Sequence, residues 1–386
     1  MSADKPLFIH PLLGSDDAWS GFLVESASED ATAAAALTRL VRQPVLAEFD
    51  HRLPWLVPAA LEPGAGNIPE NTVHLFATPN LNPTLEAGLR QAHCKVGLTL
   101  GNGDKLPMTG AWDYLLISTS HARTLPPYTL VGQASRTVVV ATEVHSYADH
   151  AWAQGNACAL STCEFLLARN SNSKRADMTR VKLLEILALI AEDADTGSIE
   201  AIFRQEPKLS YSLLRLVNTA AIAPRNPITS FAQAINLLGR RQLQRWLQLL
   251  VYADPNDGHR PNPLLQKAAA RGRLMELLAP TLNPPAEADN LEDAAFMIGA
   301  FSLLNVLLNM SMSEILQQLP LAEPVRRALA EQAGPLGQLL QAINAAENRD
   351  LKAAAAQLEK IAVSGEGFTE AQLAALNWAA KIRPSA

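Results

Sequence analysis

The chain has 386 residues, of which 48% are hydrophobic and 18% charged, so it exceeds one ordinary core and predicts about two domains of roughly 100–200 residues each. A formal net charge of −6 argues against a dedicated nucleic-acid binder, which would show a strongly basic face. The start, Met-Ser-Ala-Asp-Lys-Pro, has no basic stretch leading into an apolar one, and the most apolar helical run, Leu183 to Ala191, is interrupted by Glu185, far short of the roughly 20 residues a bilayer needs. The expectation is a cytoplasmic protein without a membrane anchor.

From Pro6 to about Arg169, short apolar runs recur: Leu7–Leu13, Gly21–Glu25, Thr72–Thr78, Lys95–Leu100, Tyr114–Ser118, Thr129–Val131, Thr137–Thr142 and Ala157–Ser161. Several lack polar alternation, as in Thr-Val-Val-Val-Ala-Thr, which is the pattern of a strand covered on both faces in a parallel sheet. Helical stretches at Asp30–Arg42, Thr84–Gln91 and Tyr147–Gln154 separate some of them, so an α/β architecture is predicted. As a barrel it would be a shortened one, since a complete eightfold barrel takes about 250 residues. Three cysteines, Cys94, Cys158 and Cys163, fall here at spacings unlike a metal knuckle and read as buried small apolar residues.

The polar segment from Arg169 to Asp177 predicts a linker, assigned to 170–178, between domains at 1–169 and 179–386. Beyond it every pattern is helical: Thr179–Glu192, Ser198–Arg204, Pro207–Ala221, Ala234–Leu238, Gln242–Tyr252, Pro263–Ala279, Leu291–Asn309, Ser313–Leu319, Pro324–Ala333, Gly337–Glu347, Leu351–Val363 and Thr369–Ile382. Ser230 with Gln233, and Thr369 with Gln372, have capping-box spacing, and Gly239 stands where a helix C-cap belongs.

Within this half, Glu206-Pro-Lys-Leu-Ser-Tyr-Ser-Leu-Leu-Arg-Leu-Val-Asn218-Thr-Ala, Ile228-Thr-Ser-Phe-Ala-Gln-Ala-Ile-Asn-Leu-Leu-Gly239 and Leu243-Gln-Arg-Trp246 resemble the HDOD domain, a helical relative of the HD-type phosphohydrolases of bacterial signalling proteins. Ala295-Phe-Met-Ile-Gly299 and Leu316-Gln-Gln-Leu-Pro-Leu extend the resemblance over roughly 175–385. An HD-type site needs several His and Asp side chains on one or two metal ions. Of eight histidines, seven lie between His10 and His150, and only His259 lies in this half, in a loop with Asp254 and Asp257 that reads as a surface turn. Ser302-Leu303 stands where catalytic relatives carry His-Asp. Candidate binding residues are Asn218, Arg215, Arg240, Arg241 and Trp246, with Arg245 in the same basic cluster; for Asn218 a bond to the following loop is the competing role, and for the arginines a solvated face.

The first half resembles a shortened EAL-type domain, the cyclic di-GMP phosphodiesterase fold that often precedes an HDOD domain. Trp19-Ser-Gly-Phe-Leu-Val-Glu25, Trp112-Asp-Tyr-Leu-Leu-Ile-Ser118, Thr137-Val-Val-Val-Ala-Thr-Glu-Val-His-Ser146 and Ala153-Gln-Gly155 through Phe165 carry that resemblance. Its chemistry requires acidic and amide metal ligands and a lysine at the strand C-termini. Leu23 takes the place of the signature Glu, Leu116 and Ser118 those of Lys and Asp, and Thr142 that of a Glu, with Glu143 one step away. Thr99-Leu100-Gly101 replaces the paired acids, and no Gln-Gly follows Ala157.

Ser161, His145 and Asp149 are a possible triad without a nucleophile-elbow motif, and His145 and His150 miss the i, i+4 spacing of a helical zinc pair. Gly101-Asn-Gly103-Asp reads as a turn rather than a phosphate loop. The fold expected is thus α/β plus all-α: a shortened TIM-barrel-like, EAL-related domain followed by an all-helical, HD-related (HDOD) domain. The function expected is signal transduction through protein–protein interaction with unidentified signalling proteins, with no enzymatic activity, metal or cofactor. Two alternatives are a cyclic dinucleotide sensor, for which Arg123 and Arg136 are the nearby cations, and a phosphodiesterase with displaced ligands. A helix-turn-helix over Leu209–Trp246 is disfavoured by acidity and by two apolar helices.

Overall fold

The computed structural model describes residues 5–28, 31–60, 71–169, 187–188, 207–219, 228, 231–253, 261–288 and 290–382. Two compact units divide it. The first takes 1–168 together with Ala346–Ala355 and Ser364–Leu373, two pieces from the helical half of the sequence; the second takes the remainder. Among the described residues no helix is long and apolar enough to cross a membrane.

The first unit is a closed eight-stranded barrel in sequential order. Its strands are β1 (Leu7–Leu13), β2 (Trp19–Ser26), β3 (Trp55–Pro58), β4 (Thr72–Ala77), β5 (Lys95–Thr99), β6 (Tyr114–Ser118), β7 (Val138–Thr142) and β8 (Leu160–Ser161). β1 runs antiparallel to β2 and β8, and β2 to β8 are parallel to one another. Alternate side chains of every strand except β5 converge in one apolar cluster: Leu12, Leu23, Leu56, Val73, Tyr114, Leu116, Val140 and Leu160. Only the barrel interior lets side chains from all those strands meet. β5 contributes Gly97, where a Cβ would come within 2.7 Å of Leu75 Cδ2 and 3.1 Å of Tyr114 Cβ. The missing side chain leaves room for the neighbours of both flanking strands.

Short elements keep the barrel small. β8 has two residues and β3 four, and no helix lies between β5 and β6. One expectation is corrected here. Thr129–Val131 is the start of the helix Thr129–Ala134, not a strand. Pro126 and Pro127 precede it, Tyr128 turns at φ 65°, and the Thr129 hydroxyl donates to the Pro126 carbonyl at 2.6 Å, so the chain is wound into a helix with Leu130 inward. β3 gave no sequence signal because its four residues are too few to show a period and end in proline.

The seam between β1 and β8 is closed in a different way. Only Leu13 pairs with Ser161 there. On the same edge, Leu7 N–H donates to Thr369 Oγ1 at 3.1 Å and Ile9 N–H to Gln372 Oε1 at 3.0 Å, while Gln372 Nε2 donates to the Ile9 carbonyl at 3.2 Å. Pro11, next in this alternation, has no N–H to satisfy, which suits it to a seam position. Thr369 and Gln372 are therefore not a capping box. They lie inside the helix Gly365–Ala380, whose start is capped by Ser364 Oγ accepting from Gly367 N–H at 3.1 Å.

In the second unit the helix Pro263–Leu278 packs on Leu291–Phe301. The two backbones approach so closely at Gly299 that a Cβ there would lie 2.5 Å from the Arg271 carbonyl oxygen. Gly239 breaks Phe231–Leu250 at φ 71°, in keeping with its expected capping place. The helices expected at Thr179–Glu192 and Ser198–Arg204, the linker and the Ser230 cap lie almost wholly outside the described residues.

Candidate functional site at the barrel mouth

Seven parallel strands end at one rim, and antiparallel β1 begins there, with Phe8 opposite Glu25 and His10 opposite Leu23. The same alternation that puts Leu23, Leu116 and Val140 in the apolar layer puts Glu25, Ser118 and Thr142 one step nearer the rim. Glu164 follows β8 on the way out.

A charged cluster forms there. The guanidinium of Arg349, from the barrel-unit segment Ala346–Ala355, donates to Glu25 Oε1 at 2.5 Å, and its other amino group lies 3.6 Å from Glu164 Oε1. His10 Nε2 lies 3.5 Å from Glu25 Oε2. The side chains are largely enclosed: Glu164 is 4% exposed, His10 10%, Arg349 22% and Glu25 23%. Burial pushes the Glu25 carboxyl above its ordinary value, against the opposing pull of Arg349. Burial also works against the charge on Arg349, but Glu25 and Glu164 outweigh it and raise its basicity. Two carboxylates thus face one guanidinium. Glu25 Oε2 and both Glu164 carboxylate oxygens have no hydrogen-bond partner among the described residues.

Hydroxyls ring the same rim. Ser118 Oγ donates to Asn102 Oδ1 at 2.9 Å and caps the short helix after β6 by accepting from His121 N–H at 3.2 Å. Thr119 Oγ1 donates to the Glu143 carbonyl at 2.9 Å, and Glu143 itself is exposed at φ 55°. Asp104 accepts from Thr78 and from Gly101 N–H, and the Thr78 bond first, then Gly101, hold its carboxyl below the ordinary range. Gly101-Asn-Gly103-Asp is accordingly a turn tied by Asp104.

The EAL resemblance implies a metal pair held by these side chains. Leu23 and Leu116, each 2% exposed, offer no donor atom, and Thr142 offers a hydroxyl. Glu25 and Glu164 both face Arg349. Among the described residues no group of three or more His, Cys, Asp or Glu is placed to hold a metal ion. In this arrangement the donors do not fit a pair of divalent ions.

The triad candidates Ser161, His145 and Asp149 are not brought together. His145 is exposed, and Asp149 is held by Arg123 at 2.7 Å and by Ser146. The structure instead joins Ser161 Oγ to His150 Nδ1 at 3.2 Å and His150 Nε2 to Asp17 Oδ1 at 2.7 Å. Ser161 is 4% exposed, and Phe165 stacks on the His150 ring at 4.3 Å. A buried hydroxyl under a covered imidazole has no approach for a substrate; the chain of bonds ties the β1–β2 turn to the helix Tyr147–Gly155. Of the two cations proposed for a nucleotide, Arg123 is engaged by Asp149 and lies over the Trp152 ring, and Arg136 is exposed beside Gly110.

In the helical unit Asn218 is occupied by backbone. Its amide donates to the Leu214 and Ile228 carbonyls and accepts from Ile228 N–H, each at 2.7 Å. Arg241 binds Asp293 and Glu292, and Arg245 binds Glu276 and Asp293. These acidic partners already match the guanidinium charges, so neither arginine presents an open phosphate fork. Trp246 is buried at 2% against Trp378. Arg215 is half-buried, and the Arg240 side chain, Asp254, Asp257 and His259 lie outside the described residues. Ser302 Oγ accepts from the buried Arg271 at 2.8 Å and donates to the Gly299 carbonyl; Leu303 is core.

Residues 178–260 match the family model described as HDOD domain. The chain carries an HDOD domain. Over 190 residues it is 32% identical to "Cyclic di-GMP phosphodiesterase CdgJ" of Vibrio cholerae serotype O1, a match covering 49% of this chain and 43% of that protein. Over 195 residues it is 29% identical to "Uncharacterized protein YuxH" of Bacillus subtilis, covering 49% and 45%. The match spans less than half the length of each curated relative. Among solved structures, the EAL-like domain protein YdiV aligns with TM-score 0.34 at 13% identity over 41% of this chain and 89% of that one. A putative phosphohydrolase from Shewanella amazonensis aligns with TM-score 0.36 at 15% identity over 56% and 96%. One expectation is corrected by these findings. The expectation of no enzymatic activity is overturned by a relative at 32% identity that is named a phosphodiesterase.

Proposed function

We propose that this chain is a two-domain signal-transduction protein linked to cyclic di-GMP, and that it passes its signal on by protein–protein contact. The observation that carries the reading is the barrel mouth: a polar, charged recognition layer of Glu25, Glu164, His10 and Arg349 set over an interior filled with aliphatic side chains. The HDOD domain and the name of the Vibrio relative supply the cyclic di-GMP context. A second reading, recognition of a cyclic dinucleotide at the same mouth, draws on that name and on the hydroxyls of Ser118 and Thr119 at the rim.

The test is calorimetric titration of the full chain with cyclic di-GMP, beside an assay for linear dinucleotide with magnesium and manganese on the same preparation. Saturable heat at micromolar ligand supports the link. Product release would replace contact signalling by catalysis as the primary role. No heat at millimolar ligand together with no product would sink the link to cyclic di-GMP.

A further inference from the structure

We propose that Asn102 is a covalent modification site: attack by the Gly103 backbone nitrogen converts its side-chain amide to a carboxylate, with water as co-reactant and Ser118 polarising the amide. Asn102-Gly103 is the only Asn-Gly pair in the sequence. It forms the corner of the turn after β5, which Asp104 N–H closes on the Gly101 carbonyl at 3.2 Å. The nucleophile is open. Gly103 N–H has no hydrogen-bond partner among the described residues, and Gly103 is exposed at φ 85°. Beyond its chain neighbours, no atom lies within 4 Å of where a Cβ would stand. The electrophile is polarised, because Ser118 Oγ donates to Asn102 Oδ1 at 2.9 Å. Ser118 Oγ itself accepts from His121 N–H at 3.2 Å and lies 3.0 Å from Ser120 Oγ. With its own proton given to Asn102, it leaves the Ser120 hydroxyl to donate to it, and such chains strengthen each bond. The leaving group is free: Asn102 is exposed and its Nδ2 donates to no described group, so ammonia departs into solvent.

Hydroxide removes the Gly103 N–H proton as the nitrogen bonds to Asn102 Cγ. The carbonyl electron pair moves onto Oδ1, where the Ser118 hydroxyl meets the developing charge. Collapse breaks the Cγ–Nδ2 bond, and Nδ2 takes a proton from water and leaves as ammonia. The product is a cyclic imide joining the Asn102 side chain to the Gly103 nitrogen. Water opens that ring at either carbonyl, giving aspartate or isoaspartate at position 102. In sum one amide and one water become one carboxylic acid and one ammonia. The rim gains a negative charge two positions from Asp104, and isoaspartate also reroutes the backbone through the side chain. The conversion runs one way. It does not depend on cyclic di-GMP, so it can fail while the cyclic di-GMP link stands, and the reverse.

The experiment incubates the full chain at about pH 6 and about pH 8 and follows the tryptic peptide Val96–Lys105 by mass spectrometry for replacement of NH2 by OH. An isoaspartyl methyltransferase assay reads the rearranged product. Conversion should rise with pH, because the nitrogen must lose its proton. S118A should slow it about tenfold, less than the loss of an enzyme's oxyanion donor costs, because water replaces the hydroxyl at an exposed rim. S118T keeps the hydroxyl and should convert as wild type does. In urea, where the two segments part, wild type and S118A should convert alike. If circular dichroism shows S118A unfolded, S120A carries the comparison, with slowing expected in the folded chain alone. No conversion of Asn102 at the higher pH overturns the proposal. So does a rate in the folded variant equal to or above that of wild type, which would mean that the contact with Ser118 is idle or protective. Slowing that persists in urea also overturns it, since the effect would then owe nothing to the folded turn.

Discussion

Replacing Gln372 by alanine should open the barrel at the β1 edge. The side chain accepts from Ile9 N–H at 3.0 Å and donates to the Ile9 carbonyl at 3.2 Å, and Ile9 is 2% exposed. Truncation leaves two buried backbone groups without partners. Each unsatisfied group costs about 1–3 kcal/mol, so Q372A should lose about 3 kcal/mol, the low half of the sum, because the vacated volume admits some water. T369V keeps shape and removes one acceptor, that of Leu7 N–H at 3.1 Å, and should lose about 1–2 kcal/mol. Both residues serve the same strand, so the double variant should lose less than the sum. Urea unfolding measures the loss. Hydrogen exchange locates it: peptides spanning Leu7–Leu13 should exchange faster in Q372A, with the β5–β7 peptides changing least. Native protection of β1 in the double variant, with a stability change under about 0.5 kcal/mol, would refute the reasoning that these side chains stand in for a missing strand partner.

Three further outcomes follow from single sites. His74 is 1% exposed on β4, and burial holds its imidazole below the ordinary value of 6.5; the stability it contributes is full above pH 6.5 and is lost as pH falls toward its folded value, so a urea series from pH 7 to 5 should fall less steeply for H74L than for wild type. The Cys158 thiol is pushed up to about 12 by burial, so timed alkylation at pH 8 read by mass spectrometry should label partly exposed Cys94 well before Cys158; equal rates would show that the turn between the helix Tyr147–Gly155 and β8 opens. G299A forces a Cβ to within 2.5 Å of the Arg271 backbone oxygen, where no flexible side chain can yield, and should cost about 2–3 kcal/mol in urea unfolding; a neutral effect would mean the two helices separate freely.

Much of the barrel could be read from residues alone. β6 and β7, Tyr-Leu-Leu-Ile-Ser and Val-Val-Val-Ala-Thr, are apolar runs without alternation, because a parallel barrel covers both faces of each strand. Leu23 and Leu116 could be placed against polar residues of the resembling family from their strands, and they lie in the apolar layer that their neighbours predict. β3 could not be read, since four residues carry no period, and Thr129–Val131 misled because β-branched residues also fit the first turn of a short helix when Pro126 sets its direction.

The site was less legible than the scaffold, and the reason is distance along the chain. Thr369 and Gln372 have the three-residue spacing of a capping box, but the same spacing puts two side chains on one helix face, and only the tertiary structure shows that face meeting Leu7 and Ile9. Glu25, His10, Glu164 and Arg349 carry no motif; their partners are separated by up to 324 positions, so no local pattern announces the cluster. Ser161 and His150 were visible as residue types, yet Asp17 completes their hydrogen-bond chain from the β1–β2 turn. The sequence by itself determined the two kinds of fold, because periodicity and residue shape act locally. The tertiary structure alone decided which charges meet at the mouth and what closes the seam, because those pairings depend on closing the barrel around distant segments.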